Sequence, residues 1–124
     1  MVEIDRSEDQ INTPIYFTVI DSMYKDQVLQ IDWLRHRVRI RGQEMKLSPT
    51  EFRLLTVLVN NAGIVLSVER LLDMVWDKTE VEHANVRAYI SFLRKKLGGG
   101  PPQLIETVRE FGYRYNPPDE DYRP

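Results

Sequence analysis

The residues best suited to a chemical task lie in one stretch, residues 84–97, where cations stand next to small side chains. At about 100° per residue, one narrow stripe of this stretch is apolar, as on the core-facing side of an amphipathic helix. That stripe consists of Val86, Ile90, Leu93 and Leu97. The opposite pole consists of Ala84, Ala88, Ser91 and Lys95, with Arg87 and Arg94 to one side and Phe92 and Lys96 to the other.

Such a face has the composition needed to lie in the major groove of DNA. Short side chains allow close approach to base edges, and cations bind phosphates. A helix face that is merely solvated can look the same, so the neighbouring elements decide between the two interpretations.

The distribution of charge favours the first interpretation. The formal net charge of −2 argues against a nucleic-acid partner, because neutralising phosphates needs Lys and Arg. However, residues 84–115 hold six cations against Glu106 and Glu110, whereas residues 1–10 and 116–124 carry net charges of −3 and −2. The basic residues are therefore concentrated around the helix, and the acidic ones mostly in the tails and one loop.

Composition also excludes several functional classes. The chain has no cysteine, and its two histidines, His36 and His83, are far apart in sequence, so we expect no disulfide, metal site or cofactor. No apolar run of about 18 residues and no secretory start is found, so we expect a cytoplasmic chain without a membrane segment. A glycine-rich phosphate loop, a nucleophile elbow and a metalloprotease motif are also missing, so we expect no catalytic residues and no enzyme.

Short strands are predicted before the first helix. A β-branched run at residues 15–20 is followed by a polar break at residues 21–26, then by alternating strands at residues 29–33 and 37–41 and a short strand at residues 44–47. We expect a four-stranded antiparallel meander. Its alternating arginines, Arg37, Arg39 and Arg41, should point away from the core, which favours a solvated or edge-protecting face over a second DNA contact.

Three helices and a hairpin are predicted next. Ser48 and Glu51 form a capping box with Pro49 in the first turn, and Gly63 ends that helix. Ser67 caps a second helix that ends near Trp76, and an acidic loop at residues 77–83 leads to the basic helix. Glycines and prolines at residues 98–102 stop it, before a hairpin of residues 104–108 and 113–115. The fold class is therefore α+β: a winged helix-turn-helix with an N-terminal four-stranded sheet and a C-terminal β-hairpin wing.

Four separated blocks carry a resemblance to a known family. They are LSPTEFRLL (residues 47–55), LLDMVW (71–76), YISFLRKKL (89–97) and TVREFGYRY (107–115). In this order and at these separations they resemble the OmpR/PhoB-type winged-helix DNA-binding (effector) domain of two-component response regulators, over about residues 28–115. The four-stranded N-terminal meander is itself typical of that family among winged helices.

The resemblance implies roles for individual positions. Arg109 matches a wing arginine placed in or beside the minor groove, and Trp76 matches a tryptophan that either reaches a phosphate or packs in the core. Arg94 and Tyr89 match positions that often touch phosphates, Thr107 matches a possible phosphate contact, and Tyr113 matches a packing position. The implied DNA-binding set is Arg87, Ala88, Tyr89, Ser91, Phe92, Arg94, Lys95, Trp76, Thr107 and Arg109.

Three positions depart from the family pattern. Phe92 stands where a base-reading arginine is common, Arg87 where an aspartate is common, and Glu110 where glycine is common. The first two suggest an altered sequence preference, with Phe92 either contacting thymine methyl groups or folding back on the wing. Glu110 places an anion beside the wing arginine, which weakens phosphate attraction.

The resemblance also implies partners. We expect double-stranded DNA at promoter direct repeats, with two copies dimerising on the DNA and a receiver domain upstream if the chain is a fragment. RNA polymerase is implied as a partner of the acidic loop, through Asp77, Lys78, Thr79, Glu80 and Glu82.

We expect residues 14–116 to form the winged-helix domain, between flexible tails at residues 1–13 and 117–124. Two alternatives remain: a stand-alone regulator without a receiver, and a winged helix repurposed for protein–protein interaction.

Overall fold

The computed structural model describes residues 22–76, 83–98 and 103–118, and the chain divides into two compact units, Met1–Glu44 and Met45–Pro124. The strand predicted at residues 15–20 and the N-terminal tail lie outside the described residues. Within the described ranges, no helix is long and apolar enough to cross a membrane.

The predicted sheet is present, with four antiparallel strands in sequential order: β1 (Met23–Lys25), β2 (Leu29–Asp32), β3 (Arg37–Ile40) and β4 (Gln43–Met45). Leu29 pairs with Ile40 and Ile31 with Val38, and these four side chains are buried on one face. Arg37 and Arg39 alternate with them and are exposed. The prediction of an outward row of arginines is therefore confirmed.

The first described strand is not where the sequence pattern placed a strand. β1 falls in the segment predicted to be a polar break, and Asp26 explains why. Its Oδ1 accepts hydrogen bonds from the amides of Val28 (2.8 Å) and Leu29 (2.7 Å), so the polar residue builds a turn rather than ending the sheet. Met23 and Lys25 are exposed, so β1 lacks the apolar side chains by which a strand is recognised in a sequence.

The first helix, α1 (Pro49–Asn60), begins as predicted. The Glu51 amide donates to Oγ of Ser48 at 3.2 Å, and the Ser48 amide donates to Oε1 of Glu51 at 2.9 Å, which completes the capping box. Gly63, beyond the helix end, has a φ of 83°. That left-handed backbone conformation favours glycine.

The second helix, α2 (Val68–Leu71), is capped by Ser67, whose Oγ accepts from the Arg70 amide at 3.0 Å. It widens into a π-helical turn over Leu72–Trp76. Nη1 of Arg53 donates to the Val75 carbonyl at 3.0 Å, so a side chain of α1 satisfies a backbone acceptor at the end of this turn.

The third helix, α3 (His83–Leu97), packs against α1 and α2 through the predicted stripe. Its four stripe residues, Val86, Ile90, Leu93 and Leu97, are at most 3% exposed. Gly98 follows with a φ of 93°, at the point where the sequence predicted the helix to stop. The hairpin consists of β5 (Ile105–Val108) and β6 (Gly112–Tyr115), which pair antiparallel.

One ion pair ties the end of α3 to the start of α1. Nζ of Lys96 donates to Oε1 of Glu51 at 2.7 Å and to the Lys46 carbonyl at 3.0 Å. Burial of Glu51 raises the pKa of its carboxyl, but the hydrogen bonds from Lys96 and the Ser48 amide outweigh burial and hold that pKa below its ordinary value. The carboxylate is therefore ionised at neutral pH and fixes two helices at once.

We predict that Lys96→Met destabilises the protein by about 1–2 kcal/mol at pH 7. Because the folded-state pKa of Glu51 is depressed, its stabilisation is present above the unfolded-state pKa of about 4.3 and is lost as the pH falls through the folded value. The gap between wild type and variant should therefore shrink between pH 7 and pH 3, measured by urea unfolding. Lys95→Met, which changes an exposed lysine, is the control. An equal gap at both pH values would show that the pair does not act through the Glu51 charge.

Candidate nucleic-acid interface

The outward face of α3 presents half of the residues that the sequence assigned to DNA contact. Arg87, Ser91 and Lys95 are exposed, and Ala88 between them is partly exposed. Neither Arg87 nor Lys95 has a side-chain ion-pair partner within the described ranges. This face can approach a polyanion closely, because its central residues are short and its cations are uncommitted.

Three aromatic side chains form a row along one flank of α3. The ring centroids of Trp76 and Tyr89 lie 5.5 Å apart in an edge-to-face arrangement, and Tyr89 and Phe92 repeat the same distance and geometry. Each such pair contributes about 0.5–1.5 kcal/mol beyond area burial. Phe92 nevertheless remains 45% exposed.

The row bears on the two alternatives for Phe92. Phe92 lies about 200° around the helix from Arg94, the residue that contacts the wing. Its ring packs on Tyr89 instead, on the side of α2. This position on the flank away from Arg94 favours the alternative in which Phe92 contacts thymine methyl groups, and that contact stays a prediction.

The wing is joined by backbone hydrogen bonds to the segment between α1 and α2. The Leu66 amide donates to the Tyr113 carbonyl at 2.8 Å, and the Tyr113 amide donates to the Leu66 carbonyl at 3.0 Å. At Gly112 the two backbones come so close that a Cβ would lie 2.0 Å from the Leu66 carbonyl oxygen. Only glycine fits there, and its φ of 147° is also one that other residues rarely adopt.

Arg94 connects α3 directly to the wing. Its Nε and Nη2 donate to the Ile105 carbonyl at 3.1 and 2.8 Å, and Nη2 also donates to Oγ1 of Thr107 at 2.7 Å. The guanidinium carbon lies 5.8 Å from the centre of the Tyr113 ring. Sequence reasoning gave Arg94 only a phosphate contact and missed this link, because the residue spacing does not show which carbonyl a side chain will reach.

The link also orients Thr107. A threonine hydroxyl has one donor and two acceptor sites, and Arg94 occupies an acceptor. The hydroxyl proton is thus left for an acceptor such as a phosphate oxygen, while Thr107 itself is exposed. The phosphate contact of Arg94 remains a prediction. Nη1 would make it, because Nε and Nη2 already donate to the wing.

Two other cations of residues 84–115 are neutralised internally. Lys96 is paired with Glu51, as described above, and Nη2 of Arg114 lies 3.0 Å from Oε1 of Glu106. Hydrogen bonds from Asn116 and Arg114 hold the pKa of Glu106 below its ordinary value, so this pair is ionised at neutral pH. The cations left for an outside partner are therefore fewer than the sequence count suggests.

The tip of the wing carries Arg109, Glu110 and Phe111, all exposed. The Phe111 amide donates to the Val108 carbonyl at 2.8 Å, which closes a turn with Glu110 at its third position. Glu110 has a φ of 72°, a left-handed conformation that costs a non-glycine residue about 1–2 kcal/mol. This explains why glycine suits the position.

A cleft of about 380 Å³ separates the wing from the helices. Arg87 of α3 lines it together with Glu69 at the start of α2, and the wing contributes Thr107, Glu110 and Phe111. Arg87 and Thr107, both of which the sequence assigned to DNA contact, therefore line the same cleft. The predicted partner-binding residues, Asp77, Lys78, Thr79, Glu80 and Glu82, lie outside the described residues, as does the side chain of Ala84.

A protein family and several known proteins are similar in sequence to this chain. The family described as "Transcriptional regulatory protein, C terminal" matches residues 42–115. The KDP operon transcriptional regulatory protein KdpE of Escherichia coli is 43% identical over 102 residues, which cover 79% of this chain and 45% of the relative. The phosphate regulon regulator PhoB of Rhizobium meliloti is 38% identical over 97 residues, covering 77% of this chain and 43% of the relative. The chain thus spans less than half the length of these relatives.

Solved structures of related proteins are also similar to this chain. The Thermotoga maritima response regulator DrrB, an OmpR/PhoB homologue, has a TM-score of 0.71 at 30% identity, covering 77% of this chain and 44% of its own. The DNA-binding domain of Klebsiella pneumoniae RstA, in complex with the RstA box, has a TM-score of 0.69 at 31% identity, covering 77% of this chain and 98% of its own.

We predict that Glu110→Gly stabilises the protein by up to about 1 kcal/mol, because it relieves the left-handed strain. It should also raise affinity for a DNA duplex at low salt by roughly threefold, because an anion beside Arg109 is removed. Thermal unfolding and fluorescence anisotropy measure the two effects.

Glu110→Gln separates the two causes of the Glu110→Gly effect. This variant removes the charge and keeps the strain, so it should raise affinity without raising stability. If Glu110→Gln left the affinity unchanged, the anion would have no influence on DNA binding.

Proposed function

We propose sequence-specific binding of double-stranded DNA as the function of this chain, which belongs to the OmpR/PhoB-type family of C-terminal domains of transcriptional regulatory proteins. In this proposal α3 enters the major groove and the wing lies at the phosphate backbone or in the minor groove. The fold and its relatives are those of transcription regulators and not of an enzyme class, and we propose no catalytic activity.

One observation carries the proposal: α3 and the wing present their uncommitted cations together. Arg87 and Lys95 flank the short side chains Ala88 and Ser91, while Arg94 holds the strand that leads to Arg109. A solvated helix would not need short residues between cations or a wing fixed to its side. The similar RstA DNA-binding domain was solved in complex with the RstA box, which supports DNA binding by a domain of this fold.

The roles of individual residues follow from their positions. Arg87, Ala88, Ser91 and Phe92 would face base edges, since they lie on the outward half of α3. Lys95, Tyr89, Trp76 and Thr107 would meet phosphates, and Arg109 would reach the minor groove or its edge.

Wider aspects of the function are proposed from the relatives. We propose that two copies bind promoter direct repeats and that the chain is the effector part of a two-component response regulator, controlled by a receiver domain. In that setting the loop at residues 77–83 would contact RNA polymerase. Residues 14–116 are proposed as the winged-helix domain, and the site of action would be the cytoplasm, where chromosomal DNA is found in bacteria.

A protein-binding role is the second candidate, and two exposed aromatic residues favour it. Phe92 is 45% exposed and Phe111 is 70% exposed. An apolar contact to a protein would respond little to ionic strength, whereas DNA binding responds steeply.

We predict that the logarithm of the association constant for duplex DNA falls linearly with the logarithm of salt concentration, by about 0.9 per phosphate neutralised. Arg109→Ala should weaken binding to all duplexes and reduce the slope by roughly one such step. Arg87→Ala and Ser91→Ala should instead change which site is preferred in a selection from random DNA. If they left relative affinities among sites unchanged, the assignment of the reading face would be wrong.

A further inference from the structure

We propose that Phe92 is a specificity-determining residue that selects sites bearing a pyrimidine 5-methyl group, as thymine does. This inference rests on the proposed DNA binding and deepens it, because it names the feature that one side chain recognises. It follows from where the ring is held and from what surrounds it.

Phe92 is not a core residue. The buried stripe of α3 is complete without it, since its four members are at most 3% exposed. Phe92 lies on the outward half of the helix, with nearly half of its surface exposed. The exposed part of this ring is therefore available to an outside partner.

The Phe92 ring is held in place by its aromatic neighbours. Tyr89 packs edge-to-face with Phe92 at 5.5 Å between centroids, and Trp76 packs with Tyr89 at the same distance. Trp76 follows directly on Val75, whose carbonyl accepts a hydrogen bond from Arg53 of α1. The ring therefore loses little conformational freedom on binding, which favours a specific contact over a loose one.

The neighbours of Phe92 on α3 favour a contact with bases. Ala88 lies about one turn before Phe92, and Ser91 directly precedes it. Both side chains are short and allow the helix to lie close to the bases. A phenyl ring has no hydrogen-bond donor or acceptor, so it cannot read the polar edge of guanine, adenine or cytosine. In the major groove the apolar group available to it is the C5 methyl of thymine.

The test replaces thymine by deoxyuracil, which removes only that methyl group. Sites selected from random DNA by the wild-type chain are resynthesised with deoxyuracil at each thymine in turn, and affinities are measured at constant salt. We expect one thymine per half-site at which the exchange weakens binding about fourfold, the equivalent of ~0.8 kcal/mol for one buried methyl group.

The variant Phe92→Ala should bind the thymine and deoxyuracil forms of that site equally. Ile64→Ala is the matched control, because Ile64 is an exposed apolar residue of the same unit that lies outside α3, and it should preserve the fourfold difference. Replacing the thymine by 5-methylcytosine, with its partner base changed to guanine, should keep more affinity than replacing it by cytosine.

The outcomes separate this inference from the function on which it rests. Selective binding without any thymine–deoxyuracil difference, or a difference that survives in Phe92→Ala, would overturn the role of Phe92 and leave DNA binding intact. Failure to bind any duplex at low ionic strength would overturn both.

Discussion

The hydrogen bonds of Arg94 to Ile105 and Thr107 are the constraint on which the proposed interface depends. A β-hairpin alone is only marginally stable in water, so its direction must be set by what it contacts. Here the guanidinium of Arg94 fixes one strand to α3, and the backbone pairing at Leu66 fixes the other strand to the segment before α2. These contacts therefore set the direction of the wing relative to α3.

The same bonds decide how charge is distributed. Lys96 and Arg114 are used to hold the fold, and most of the Arg94 guanidinium is turned toward the wing. Among the described cations of residues 84–115, Arg87, Lys95 and Arg109 remain exposed, and they lie on α3 and at the wing tip. A chain with a net charge of −2 can thus present exposed cations on α3 and the wing, although Glu69 and Glu110 line the same cleft as Arg87.

Sequence patterns predicted the elements that depend on short-range interactions. The caps at Ser48 and Ser67, the buried stripe of α3 and the hairpin were all visible in the sequence, because each involves residues a few positions apart. β1 was missed, since two of its three side chains are exposed and it shows no apolar alternation. The contacts of Lys96 with Glu51 and of Arg94 with Ile105 join residues far apart in sequence, and no spacing rule indicates them. The assignments of DNA contacts remain predictions.

The most direct test of this account is a double-mutant cycle between Arg94 and Arg109, read out as duplex affinity. If Arg94 positions the wing, Arg109→Ala should weaken binding in the wild-type background and have much less effect once Arg94→Met is present, with a coupling of roughly 1 kcal/mol or more. Circular dichroism would verify that both backgrounds remain folded. An equal loss from Arg109→Ala in both backgrounds would contradict the claim that α3 and the wing form one positioned surface.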